Sequence, residues 1–291
     1  MKLLELGVIL PIYFIVKQLL LIKMSTSSLY DGVEAGSLQM INEAIANGGN
    51  IHLYSYEQLP GWEEDGYGGD GYVYSVLILA CWIGSSRQII ERLLELGADI
   101  NLMSYYDGYN ALLLASRKGH RDIVELLLDR GANINQKNYK DGETALHYAS
   151  RHGHLDVVEL LLDRGANIHE KDLDGYNALY ISSCIGHIYV VELLVDRGAD
   201  INATDNEDTN ILYWPAIRGN KNVVDLLLVR GININQENLA LTLILDKDED
   251  NADAINSIER WAVTMWILVL QDLWVYHQLD ALSTHDLFQY I

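Results

Sequence analysis

Basic residues are scarce in this 291-residue chain: 20 Lys and Arg stand against 41 Asp and Glu, a formal net charge of −21. Affinity for nucleic acid comes largely from Lys and Arg neutralising phosphates, so no nucleic acid is expected as a partner, nor an anionic membrane surface. Cysteine is nearly absent, with Cys81 and Cys184 the only two. That excludes a disulfide framework and a cysteine-rich zinc site. Reduced thiols in a cytoplasmic protein are the expectation. Proline occurs three times and phenylalanine twice, while tyrosine occurs 18 times and tryptophan six. The 49% of apolar and 21% of charged residues are those of a globular chain with a sizeable core.

Long uninterrupted apolar runs are lacking too. Residues 1–23 read MKLLELGVILPIYFIVKQLLLIK. Glu5 stands where a signal peptide is positive, Pro11 breaks the run, Lys17-Gln18 interrupts it again, and no small-x-small cleavage site follows. The unbroken stretch is shorter than a membrane span requires. Two readings stay open: an upstream extension of a reading frame starting at Met24, or an anchor, the one feature that would bring a membrane partner.

Glycine is placed periodically. One series runs Gly48, Gly97, Gly131, Gly165, Gly198, Gly231, its last four intervals being 34, 34, 33 and 33. A second runs Gly36, Gly84, Gly119, Gly153, Gly186, Gly219, each 12 or 13 residues ahead of its partner. Each glycine follows a helical pattern and suits the left-handed position that closes a helix. Ser27, Ser75, Asn110, Thr144, Asn177 and Asn210 precede each first helix at the same offset. All are helix-capping types, so the chemistry persists while the residue changes. The second helices carry apolar pairs and triplets, such as Val157-Val158 with Leu160-Leu161-Leu162. One helix pair cannot bury such a face alone, but stacked pairs can. The expected class is all-α, an elongated solenoid of about six helix-turn-helix units with a helical cap.

DGETALHYASRHGHLDVVELLLDRGANI at 141–168 resembles an ankyrin repeat almost residue by residue. The stretches at 107–134 and 174–201 are similar to it. The units read 25–52, 70–102, 105–136, 139–170, 172–203 and 205–236. An ankyrin domain at 24–237 is thus expected, with an insertion at 54–71 and a separate segment at 238–291. Only Thr144-Ala145-Leu146-His147 keeps both the Thr and the His of the family's turn motif. The last unit departs furthest, with Asp208 where glycine is usual and Trp214-Pro215 inside its first helix. The insertion holds five acids, five glycines, Tyr54, Tyr56, Trp62 and Tyr67; a flexible loop and a binding loop both fit it.

The resemblance implies a protein-binding scaffold without enzymatic activity or cofactor. Its exposed positions would be Tyr72, Tyr74, Trp82, Tyr106, Asp107, Tyr109, Arg117, Lys118, Arg151, His152, Tyr176, Ile185 and Arg218, beside Lys140, Asp141, Glu143, Asp174, Glu207, Thr209 and Ile217. Aromatic residues and arginine supply much of the energy of protein interfaces. His120, His154 and His187 recur at the repeat period, and the resemblance makes them structural; set about 10 Å apart by stacking, they cannot converge on a metal. Cys184 lacks a partner base, and no phosphate loop, HExxH pair or serine elbow occurs.

The tail is apolar nearly all round from Ala254 to Leu279, after an acidic DKDEDNAD turn. It reads as a cap on the last repeat. A nine-residue stretch, 275–283, is similar to the middle of an F-box, without the family's leading Leu-Pro. F-box-like tails follow ankyrin repeats in proteins of large DNA viruses. That resemblance implies docking of a ubiquitin-ligase subunit on Leu279, Asp280, Leu282 and Leu287, in host cytoplasm or nucleus.

Overall fold

The computed structural model describes residues 28–51, 54–55, 74–105, 107–233 and positions 256, 258 and 260. The structure is built from helix pairs. The first is α1 (28–34) with α2 (Leu38–Ala46). Then follow α3 (Val76–Trp82) with α4 (Arg87–Glu95), α5 (Ala111–Lys118) with α6 (Arg121–Asp129), and α7 (Ala145–Arg151) with α8 (Leu155–Asp163). The last two are α9 (Ala178–Ile185) with α10 (Ile188–Asp196), and α11 (Tyr213–Ile217) with α12 (Lys221–Val229). The chain divides into two compact units, one of residues 1–182 and 189–200, the other of 183–188 and 201–291.

Within the first unit, α3 packs on α5 and α5 on α7, forming an inner row, while α4, α6 and α8 form an outer row behind it. The caps work as their side chains require. Asn110 Oδ1 accepts the Leu113 N–H at 2.9 Å and Asn177 Oδ1 that of Tyr180 at 2.8 Å. The Ser75 hydroxyl receives Ile78 N–H at 3.4 Å. Ser27 lies outside the described residues. Leu112, Leu113 and Leu114 of α5 are buried, as are Ile123, Val124, Leu126 and Leu127 of α6, and buried apolar residues recur in the next pair. Cys81 and Cys184 form no disulfide, and burial pushes the Cys81 thiol pKa up.

Adjacent pairs are laced together polar group by polar group. His120 Nε2 lies 3.4 Å from Trp82 O, and His154 Nε2 lies 2.8 Å from Arg117 O, so each ring covers the glycine that ends the preceding inner helix. At Gly119, φ is +73° and a Cβ would stand 2.6 Å from His154 Nδ1, so both the backbone and the space demand glycine. On the outer row Arg164 bridges back to Glu125 (3.1 Å) and Asp129 (2.7 Å), and Arg197 to Glu159 (3.3 Å) and Asp163 (2.7 Å).

Two features add to the sequence reading. The start of the insertion pairs with the residues just beyond it as a short antiparallel ladder, β1 (Tyr54–Ser55) on β2 (Tyr74–Ser75). In the second unit, α11 is only five residues long, and Asn210 Oδ1 reaches Leu212 N, two residues on rather than three. Residues 211–212 form a turn there, and Pro215, lacking an N–H, lies inside what remains of the helix. Asp208 takes φ +59° where glycine is usual.

Candidate partner-binding surface

The inner helices are joined to the preceding outer ones by hairpin tips, and the tips set which side chains meet water. Each tip is closed by a backbone pair: Ser104 N donates to Tyr109 O at 2.7 Å, Asn138 N to Glu143 O at 3.0 Å, and Asp172 N to Tyr176 O at 2.9 Å. Successive tips are also joined, by Tyr139 N to Asp107 O at 3.0 Å and Leu173 N to Asp141 O at 2.9 Å. The residue after each tip's first position therefore stands at an equivalent place in these three repeats. Those residues are Tyr105, Tyr139 and Leu173, and they are 74%, 63% and 65% exposed. Tyr139 packs beside Gly108 and Leu173 beside Gly142, so both are seated at the base and bare at the top.

The tyrosines expected to face solvent turn inward instead. Tyr109 is 1% exposed and Tyr74 2%. Both enter just before an inner helix, where the chain returns towards the core. Tyr148 Oη donates to Tyr109 Oη at 3.1 Å, and Asn138 Nδ2 to Tyr148 Oη at 3.3 Å, so the two phenols share a buried network. Burial pushes the Tyr109 pKa up to about 12. Tyr74 accepts the Tyr30 hydroxyl on its carbonyl at 2.5 Å. Trp82, Arg117 and Glu143 are buried as well, which removes all five from the exposed set. Glu143 is buried because its carboxylate pairs with Arg151. Tyr176 is half-buried, stacked on Tyr180 with ring centroids 4.5 Å apart.

What remains open on the inner row lies at the helix ends. Lys118 is exposed and holds its ammonium 3.7 Å from the centre of the Trp82 ring, with the Arg117 guanidinium 5.6 Å from the same ring. His152 is exposed and its ring stacks near His154, centroids 6.1 Å apart. Asp107 is half-buried, and burial holds its carboxyl above the usual range. In the second unit Ile185 is 38% exposed. There the exposed Arg218 donates to Cys184 O at 2.9 Å and sits 5.5 Å over the Trp214 ring. Tyr72, Tyr106, Leu279, Asp280, Leu282 and Leu287 lie outside the described residues.

Buried titrating groups cluster where the fourth repeat meets the fifth. His147 Nδ1 accepts the Thr144 N–H at 3.1 Å and lies 2.8 Å from Thr144 Oγ1, while Nε2 faces Tyr176 O at 3.1 Å. The network requires the neutral Nε2–H form. Burial, with Arg151 and Lys137 nearby, lowers its pKa to about 4, against the pull of the Tyr176 carbonyl. Asp172, also part-buried, is raised to about 6 by burial, although it accepts the N–H groups of Tyr176 and Asp174. These groups brace a tip.

Repeated helix pairs that show water a row of tips and helix ends define a repeat scaffold of the kind that works by binding. The family model described as ankyrin repeats, three copies, matches residues 77–172 and 165–238, more than half of the chain. The chain belongs to the ankyrin-repeat family, whose members are typically non-enzymatic and generally mediate protein–protein interaction. No curated protein matches it. Among the described residues no helix is long and apolar enough to cross a membrane.

Proposed function

We propose that the chain holds a partner protein against the tips and inner-helix ends of its first unit. The row Tyr105, Tyr139 and Leu173 carries this reading, being large, apolar and mostly bare at three successive tips. Large aromatic side chains contribute heavily at interfaces, and the backbone bonds between tips hold Tyr139 and Leu173 in place before binding. A photo-crosslinking side chain at position 139 should trap a protein partner, and one at Glu159 on the outer row should not. Tyr105→Ser, Tyr139→Ser and Leu173→Ser together should abolish adducts from a probe at position 140 without moving the urea midpoint. Adducts from position 159 alone would overturn the reading. An adaptor role, with the tail docking a ubiquitin-ligase subunit, is supported by the F-box resemblance of residues 275–283.

A further inference from the structure

We infer that the segment laid across the tips is proline-rich and held in the polyproline II conformation, with an apolar residue at every third position. This rests on the reading that the partner docks on the row of tips, and it names the chemistry of what docks there.

The row has a fixed step. Helices α3, α5 and α7 pack side by side, which sets successive repeats about 8–10 Å apart. Tyr139 N to Asp107 O and Leu173 N to Asp141 O tie each tip to the one before it, so the tips keep that step. Tyr105, Tyr139 and Leu173 stand at one register of it, all within the first unit. The seats are tight. A Cβ on Gly108 would stand 2.6 Å from the Tyr139 ring, and one on Gly142 would stand 3.0 Å from Leu173 Cγ. Single exposed apolar residues are ordinary on any surface. Three at one register, two of them set over a glycine of the preceding tip, form a regular array.

A segment that meets all three must repeat its own side chains at that step. In polyproline II, three residues make a turn and rise about 9.3 Å, so positions i, i+3 and i+6 line one side. A β-strand returns to the same face every second residue, at about 6.6 or 13 Å, and misses the step. An α-helix needs seven residues, about 10.5 Å, which comes nearer. The phenol separates the two that remain. The Tyr139 hydroxyl has no hydrogen-bond partner among the described residues, and its ring is mostly in water. An α-helix has spent its carbonyls on its own N–H groups. Polyproline II has no internal hydrogen bonds, so its carbonyls stay free for a phenol to reach. Its proline rings also lie flat on aromatic faces, and the segment is ordered before it binds. Leu173 has no hydroxyl and meets the last apolar residue by contact alone.

The test pans a phage-displayed library of random 12-residue peptides on the full chain. Recovered peptides should carry proline pairs three residues apart about fivefold more often than the unselected library. A synthetic copy of one such peptide should bind about tenfold more weakly when an inserted residue spaces its prolines four apart. Tyr139→Phe removes only the hydroxyl, so it should weaken that peptide about fivefold and leave the urea midpoint unchanged. The triple tip variant should not bind it at all. A library that yields no binder, or a Tyr139→Phe protein that binds as tightly as the wild type, would overturn the inference. Peptides without the proline spacing, or with apolar residues seven apart, that are lost with the triple tip variant would also overturn it while leaving the binding face standing. Peptides of any sequence that bind the triple tip variant as well as the wild type would overturn both.

Discussion

Acidification should weaken this fold through one histidine. In the folded chain His147 is 1% exposed, and its Nδ1 faces the Thr144 N–H, so a proton there would set donor against donor. Its folded pKa of about 4 lies below the ordinary 6.5, so between these values the unfolded chain binds more protons and stability must fall as pH falls. The full window spans 6.5 to about 4; at roughly 1.4 kcal/mol per unit, it is worth on the order of 3 kcal/mol. About 2 kcal/mol of that is lost by pH 5.2, which stays above the isoelectric point near 4.6. Asp172 acts in the other direction: its raised pKa means the folded state gains protons from about pH 6 downward. A pH scan of the wild type alone would mix the two. The informative comparison is with His147→Gln, whose amide oxygen can still accept the Thr144 N–H in a capping box but cannot titrate. Urea unfolding followed by circular dichroism at pH 7.5, 6.5 and 5.2 should find the variant weaker at the top. The gap should close by about 2 kcal/mol at the bottom. Parallel curves for the two proteins would refute both the tautomer and the depressed pKa.

Gly119→Ala should cost more than Gly131→Ala by about 1 kcal/mol or more in the same assay. Both have positive φ, but an added methyl meets His154 at the first and nothing within 4 Å at the second. Equal losses would mean that the histidine does not cap the glycine. Tyr109→Ala should lower stability by about 3 kcal/mol, as a large-to-small change in a buried network does, whereas Tyr139→Ala should leave the midpoint within error. In the tail, Leu279→Asp or Leu287→Asp should abolish capture of any tail-dependent partner in a pull-down without changing thermal unfolding of the repeats. A fall in the melting temperature of the whole array would instead make the tail a cap.

Helices, their glycine stops and their caps were legible because each has a local cause that recurs at a fixed period. Asn110 and Asn177 cap for the same reason, and both do so at the position read from sequence. The face of each tip residue was not legible. Tyr105 and Tyr109 are the same residue type four positions apart, yet one is bare and the other sealed. What separates them is the backbone pair between Ser104 and Tyr109 that closes the tip and turns Tyr109 inward. A signal did exist: Tyr139 and Leu173 occupy the position of Tyr105 in the next two repeats, where polar residues would serve a purely structural tip equally well. The shortened α11 was foreshadowed by Pro215, whose effect is local and therefore readable.

The lacing between repeats has a direction. Arg164 and Arg197 reach back to carboxylates of the preceding pair, His154 to a carbonyl of the preceding helix, and Tyr139 N and Leu173 N to the preceding tip. Lys137 to Lys171 O and His147 to Tyr176 O run the other way. On the ribosome, which delivers the chain from its N-terminus, a finished pair thus exposes mostly acceptors at its growing edge, hydrated carboxylates and carbonyls, until the next pair brings the donors. Vectorial synthesis then favours the next repeat of the same chain as the first partner to arrive.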